Sequence, residues 1–311
     1  MRLCLFFLAI SCLAMSTKNL KPAAVATPKK ASGSQLEVIS YKQFDFPDED
    51  YKKIRNHFDI SDFALKDNKV YAVSDASDAN QVYLVDWGDE KKNGTIQKVF
   101  PHQITERYKL QGLAVCDDTY YLCSERKDSL YTLKQNEKPQ LTKIDLSKMK
   151  VHRSFLTSSE GFKGLAIDCT KKKAYFVNEH EPRFILTYDL EKNKVVEKWD
   201  VPEKETLGFF DAKFDKGFLY ILIRDSMTIL KISAETHVVV KKYSYQNFEK
   251  SPGYLFAPAS HPLAKAMLIT DNEIWLSFLN RGHYPSLQAE KDLGLKGKKP
   301  LIVRFQRPEG F

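Results

Sequence analysis

Apolar and polar residues alternate along most of the chain in short runs, and the runs recur. Lys69-Val70-Tyr71-Ala72-Val73, Thr119-Tyr120-Tyr121-Leu122-Cys123, Lys173-Ala174-Tyr175-Phe176-Val177 and Gly217-Phe218-Leu219-Tyr220-Ile221-Leu222-Ile223 are rich in β-branched and aromatic residues. They are bounded by turn formers, the signature of strands. Each follows another strand across a tight polar turn, at Lys66-Asp67-Asn68, Asp117-Asp118, Cys169-Thr170-Lys171-Lys172 or Asp215-Lys216. Those preceding strands open on variants of one phrase: Ile60-Ser61-Asp62-Phe63-Ala64, Leu110-Gln111-Gly112-Leu113-Ala114, Phe162-Lys163-Gly164-Leu165-Ala166 and Phe209-Phe210-Asp211-Ala212-Lys213. A fifth variant is read at Phe256-Ala257-Pro258-Ala259, running to Ile269-Thr270-Asp271.

Successive copies start roughly 47 to 52 residues apart. A third strand is predicted in the first four copies at Gln81 to Asp86, Ser129 to Leu133, Phe184 to Asp189 and Thr228 to Ile232, and a fourth at Gly94 to Phe100, Gln140 to Asp145, Val195 to Trp199 and Val238 to Tyr243. Four antiparallel strands at this period make one propeller blade. The expected fold is all-β, a β-propeller of five four-stranded blades. Six blades remain an alternative, because Gly282 to Lys299 is poorly patterned. Glu37 to Phe44 has strand character before the first copy, and is expected to join the last blade and close the ring. Closure removes the exposed sheet edges.

The first residues break the pattern. Met1-Arg2 gives a short positive start and Leu3 to Leu13 an apolar run, too short to span a bilayer but of signal-peptide length. Ala14-Met15-Ser16 resembles an ordinary cleavage site, which makes residues 1–16 a signal peptide. Ala9-Ile10-Ser11-Cys12 resembles a bacterial lipobox, which would make Cys12 a lipid anchor. Both readings export the protein, to the periplasm, to a membrane as a lipoprotein, or outside the cell. Residues 17–35 are rich in Ala, Pro, Lys and Ser and read as a flexible tether. A single domain is expected over residues 36–311.

The formal charge of +8 is misleading. Arg2, Lys18, Lys21, Lys29 and Lys30 lie before the domain, so residues 36–311 carry about +3. A nucleic-acid partner is not expected. Cys116, Cys123 and Cys169 remain after the signal region. Cys116 and Cys169 sit near equivalent turns of adjacent copies and could meet, but buried reduced thiols are the preferred expectation. There is no Cys-x-x-Cys zinc pattern, Gly-rich nucleotide turn or Gly-x-Ser-x-Gly nucleophile elbow. Trp87, Trp199 and Trp275 are read as blade packing.

At Gln111-Gly112-Leu113-Ala114 with Ser124-Glu125-Arg126, and at Lys163-Gly164-Leu165-Ala166 with Asn178-Glu179-His180-Glu181-Pro182-Arg183, the chain resembles the SdiA-regulated family of bacterial β-propellers, related to phytase-like esterase propellers. The resemblance spans about residues 55 to 306. That family carries Glu-Gly-Leu/Ile-Ala followed by a strand ending in Ser/Glu-Glu-Arg. Here Gln111 and Lys163 stand where it usually has Glu.

Blade order locates the chemistry. The residue opening the first strand and the residue closing the second share one rim, which pairs Asp62 with Asp75, Gln111 with Glu125, Lys163 with Glu179 and Asp211 with Asp225, and brings in Asp271. Oxygen ligands from several loops suit calcium. The expected metal ligands are Asp62, Glu125, Glu179, Asp211 and Asp225, and the expected ligand-binding residues are Arg126, Lys163, His180, Arg183 and Arg224. Three functions follow: an envelope protein binding a polar ligand, metal or partner at the channel mouth; a calcium-dependent phosphoesterase or esterase-like hydrolase, which the resemblance implies; and a non-enzymatic interaction scaffold.

Overall fold

A computed structural model describes residues 33–46, 58–76, 80–90, 92–99, 109–124, 127–134, 137–147, 161–179, 183–201 and 208–311. The signal region, Cys12 and the tether as far as Ser32 lie outside them, as do Glu125, Arg126 and His180.

Two N-terminal strands, β1 (Ser34–Gln35) and β2 (Val38–Asp45), precede the repeats. The first blade is β3 (Ile60–Lys66), β4 (Lys69–Ser74), β5 (Tyr83–Asp86) and β6 (Gly94–Lys98). The second is β7 (Leu110–Cys116), β8 (Thr119–Ser124), β9 (Lys127–Lys134) and β10 (Gln140–Lys143). The third is β11 (Phe162–Asp168), β12 (Lys173–Asn178), β13 (Ile185–Asp189) and β14 (Lys194–Trp199). The fourth is β15 (Phe209–Asp215), β16 (Phe218–Ile223), β17 (Thr228–Ser233) and β18 (Val239–Ser244). The fifth takes β19 (Ala264–Ile269), β20 (Glu273–Phe278) and β21 (Leu301–Gln306) from the C-terminal part, and β2 as its outer strand. The inner strands β3, β7, β11, β15 and β19 touch in that order, and β19 touches β3.

The chain start straps three blades together. β1 pairs in parallel with β18, β2 runs antiparallel to β21, and the end of β2 pairs in parallel with β6 through Phe44↔Gly94 and Asp45↔Thr95. The closing strand expected from Glu37 to Phe44 is therefore present.

Because β2 completes the fifth blade, that blade needs only three strands from the C-terminal part. Its inner strand is β19, not the segment at Phe256, which makes only an isolated bridge to Pro285 in the connection over the rim. Asp271 consequently lies in the β19–β20 turn at the base of the propeller, 3.5 Å from Lys216 in the base turn of the fourth blade, and not at the mouth. The weakly patterned stretch before Lys299 supplies a short helix, Leu287–Leu293, and no further blade. Ser286 caps the helix by accepting from the Ala289 amide, and Gly294 ends it in the left-handed conformation.

Two-residue hairpins fit the sequence at the base. Asp67 and Asn68, and Lys216 and Gly217, take positive φ, the backbone that lets a tight turn follow the strand twist. The apolar core lies between blades. Five clusters fill the five interfaces, for example Phe63, Ala72, Leu268 and Trp275 between the fifth and first blades. Trp87 and Trp275 meet there at 5.1 Å, and Trp199 stacks on His237 at 4.0 Å, so the tryptophans serve packing.

Cys116 and Cys169 form a disulfide between the second and third blades, with Cα atoms 5.6 Å apart. The expectation of reduced thiols is corrected. Cys116 ends β7 and Cys169 opens the turn after β11, and the contact of those two strands brings the positions together. Cys123 is buried and free.

One register recurs in all five inner strands. Each carries a bulge one residue after its start: the extra residues are Ser61, Gln111, Lys163, Phe210 and Lys265. The next positions are Asp62, Gly112, Gly164, Asp211 and Ala266, and these face the neighbouring inner strand. A Cβ on Gly164 would lie 2.6 Å from the Ala212 nitrogen, and one on Gly112 2.9 Å from the Leu165 nitrogen, so only glycine permits that approach. Where Asp stands instead, its carboxylate bonds across the interface. Asp62 accepts from the Leu113 amide at 2.5 Å, and Asp211 from the Met267 amide at 2.6 Å.

Lys213 reaches from β15 to both carboxylates, at 3.2 Å from Asp211 and in direct contact with Asp62. All three side chains are nearly or wholly buried. Burial raises the Asp62 carboxyl well above its ordinary range, and the neighbouring Asp211 charge adds to this. Burial also raises Asp211, against Lys213 and the Met267 amide. Breaking a buried ion pair from one side typically costs about 3–5 kcal/mol. Lys213→Met should therefore lower unfolding free energy in urea by about that much, and adding Asp62→Asn should restore part of it. A Lys213→Met chain as stable as wild type would show that the lysine carries no such load.

Candidate functional site

The bulge turns one side chain per blade toward the end of the channel where the inner strands start, as bulges do beside functional sites. Gln111, Lys163, Phe210 and Lys265 line a cavity of about 270 Å³ there. In the first blade the bulge residue is Ser61, whose hydroxyl instead donates to the Leu110 carbonyl at 2.6 Å.

Two further tiers of described residues line the mouth. Residues just before the inner strands contribute Asp59 and Lys109, and residues just after the second strands contribute Asp75, Glu179, Arg224 and Leu279. Arg281 enters from the connection following Leu279. The main chain of that connection is pinned to the first blade, because Asp59 accepts from the amides of Asn280 at 3.0 Å and Arg281 at 3.4 Å.

Among the described residues, five cations and three carboxylates therefore face one small space. Lys265 from the fifth blade contacts Asp75 of the first. Lys163 lies 3.1 Å from Glu179 in the third blade, and Arg224 of the fourth lies 3.7 Å from the same carboxylate. The Arg224 guanidinium also lies over Phe210, 3.6 Å from the ring centroid, which fixes its plane. Burial would raise Asp75, but Lys265, then Lys109 and Lys163, hold it below its ordinary value. Asp59 goes the other way: burial dominates and pushes it up to about 6.

Behind Arg224 sits a second buried carboxyl. Glu249 ends a one-turn helix, Gln246–Glu249, and is 1% exposed. One of its oxygens accepts from the Leu263 amide, and burial raises its pKa to about 8. Tyr245 is buried beside it.

Of the residues expected from sequence, Lys163, Glu179 and Arg224 meet in this cavity. Asp62 and Asp211 are drawn deeper into the channel, where backbone amides and Lys213 occupy them. The physical reason is the bulge. It aligns Ser61 and Phe210, not Asp62 and Asp211, with Gln111 and Lys163. In the same register Arg224, not Asp225, is the fourth-blade counterpart of Asp75 and Glu179. Asp225 and Arg183 are half-buried and are not among the described residues lining the cavity. Glu125, Arg126 and His180 lie outside the described residues. Lys109, Lys265, Phe210 and Arg281 were missed. The signal for Phe210 and Lys265 was available: each directly precedes the small or acidic residue of its copy.

Among the described residues, no group of three or more His, Cys, Asp or Glu side chains is arranged to hold a metal ion. Among the described residues, the carboxylates of the mouth face lysine or arginine side chains or backbone amides. No helix of the described residues is long and apolar enough to cross a membrane.

The closed ring and its charged mouth define a β-propeller with one asymmetric polar site. The chain belongs to the SdiA-regulated family, whose sequence model matches residues 89–248. No curated protein matches the chain in sequence. Among solved structures it is similar to a glutaminyl cyclase of Myxococcus xanthus, at 12% identity over 88% of this chain and 98% of that one, with a TM-score of 0.57. A looser likeness joins it to a virginiamycin B lyase of Staphylococcus aureus, at 9% identity over 83% of this chain and 68% of that one, with a TM-score of 0.43. At such identities the likeness concerns the fold alone.

The Glu249 carboxyl yields a prediction of sign. Its folded pKa of about 8 lies above the ordinary 4.5, so its stabilising contribution is full below pH 4.5 and is lost as pH rises toward 8. Glu249→Gln stays neutral throughout. Between about pH 5 and 9 the wild-type melting temperature should fall by several degrees relative to this variant. Parallel curves would show that the carboxyl is not held neutral in the fold.

Proposed function

We propose that the protein is an exported, envelope-associated β-propeller that binds a small anionic ligand at the mouth of its channel. The supporting observation is the set of charged side chains among the described residues of the cavity: Lys109, Lys163, Arg224, Lys265 and Arg281 with Asp59, Asp75 and Glu179. Buried cations already paired within the protein are held in place, so an entering carboxylate or phosphate meets preorganised donors. Three of the cations come from bulge residues or residues following second strands, positions held by sheet hydrogen bonds and not by free loops. Export is supported by the signal-like start and by the Cys116–Cys169 disulfide, since such bonds persist in oxidising compartments.

Calorimetric titration with sulfate at low ionic strength tests the binding. Wild type should bind, and Arg224→Ala should bind about tenfold more weakly. Binding should also tighten as pH falls through about 6, because Asp59 then loses the charge that opposes the anion. Asp59→Asn should bind tightly at both pH values. Sulfate heats indistinguishable from dilution in wild type would sink the proposal. Export is checked by fractionation. Protein recovered with reduced Cys116 and Cys169 from the cytosol, and none beyond it, would refute that part.

A further inference from the structure

Arg224 stands between two carboxyl groups. On the mouth side its Nη2 lies 3.7 Å from Glu179, longer than a charge-assisted hydrogen bond of about 2.7–2.9 Å. Behind it is Glu249, carried by the one-turn helix Gln246–Glu249. That helix is tied to the turn holding Arg224. The Tyr245 hydroxyl donates to the Arg224 carbonyl at 3.5 Å, and the Tyr245 amide to the Met227 carbonyl at 3.0 Å. Two buried polar atoms here have no hydrogen-bond partner among the described residues: Arg224 Nε, a donor, and Glu249 Oε2. Buried polar groups are normally paired, so two open ones on interacting side chains call for a reason. The proton of the neutral acid supplies it. The other Glu249 oxygen accepts from the Leu263 amide, which places that proton on Oε2, where a hydroxyl meets an N–H and two donors do not pair.

We propose, resting on the anion-binding reading, that Glu249 is a proton-controlled positioning residue for Arg224. Protonated, it leaves the guanidinium over Phe210 and facing the mouth. When the proton leaves to solvent, Oε2 becomes an acceptor for Arg224 Nε–H and draws the guanidinium back, and the mouth loses a donor. Burial holds the carboxyl neutral up to about pH 8, against the Leu263 amide and Arg224. A buried carboxylate needs a partner. Among the described residues Arg224 is the cation that favours it, since Lys250 is turned to Tyr254 and Asp292. The loose contact with Glu179 makes the guanidinium easy to withdraw. Glu179, Asp225, Arg281 and Tyr245 also act on Arg224, and His261 senses its charge. Burial holds Tyr245 well above its ordinary value and His261 below its own, so both are neutral near pH 8 and neither mimics the switch.

The test takes two readouts on the full chain between about pH 7 and 9. With arginines labelled by ¹⁵N, the Arg224 Nε–H resonance, assigned by its loss in Arg224→Lys, should move with a midpoint of about 8 in wild type and stay fixed in Glu249→Gln. Sulfate affinity of wild type should fall at least about threefold across the same range, and that of Glu249→Gln should change by less than about 1.5-fold. The wild-type titration stands whether or not a variant folds well. A wild-type resonance that does not titrate overturns the switch, whether or not sulfate binds. A titrating resonance with sulfate bound equally well at both ends overturns the control of the mouth. A titrating resonance with no sulfate binding supports the Glu249–Arg224 switch and sinks the anion-binding reading alone.

Discussion

Five strands can converge on one narrow channel only if their backbones touch, and the position after each bulge is where they do. Gly112 and Gly164 meet this constraint by having no side chain. Asp62 and Asp211 meet it by making the side chain part of the contact, each carboxylate accepting an amide of the next blade. Lys213 then joins the two acids across the channel. The ring is thus closed on the inside by a buried charge network and on the outside by β2 bonded to β21 and β6. The two closures differ in kind. The outer one is a hydrogen-bonded ladder any strand-forming sequence can supply. The inner one depends on three ionisable residues whose burial is tolerable only while they remain together.

The same bulge that packs the channel builds the mouth. Adding a residue to one strand shifts the side chain beside the junction out of the sheet's alternation and aims it along the channel axis. Packing and site are therefore adjacent consequences of one local irregularity. The repeat need not be functionally symmetric, since junction and mouth positions vary separately. Ser61 closes its position with a backbone hydrogen bond, Phe210 offers a ring beneath Arg224, and Lys163 and Lys265 offer charge. The pairing of those lysines with Glu179 and Asp75 keeps a cationic mouth stable without a ligand, because isolated buried cations would carry a large desolvation cost.

Much of the fold was legible in the sequence. Strand composition, turn residues and the recurring phrase placed four blades nearly residue by residue, and the strand character of Glu37 to Phe44 pointed to the closing strand. The fifth blade was misregistered, because Phe256 to Ala259 imitates an inner strand while the true one, Ala264–Ile269, opens on the less characteristic Ala-Lys-Ala. Lys163, Glu179 and Arg224 were legible because they flank strand ends. Asp62 and Asp211 were assigned to the rim because sequence alternation alone does not reveal a bulge.

The sequence by itself determined what is local: which residues favour extended backbone, where the chain turns, and the period that makes each unit a blade. These follow from side-chain shape and backbone preference within a few residues of one another. Tertiary structure decided which acids face the cations of the mouth and which vanish into the channel, that Cys116 meets Cys169, and that Lys213 serves two distant carboxylates. Those outcomes depend on residues some 50 to 150 positions apart reaching the same few ångströms. Only closing the ring brings them there, since electrostatics and burial act through space and not along the chain.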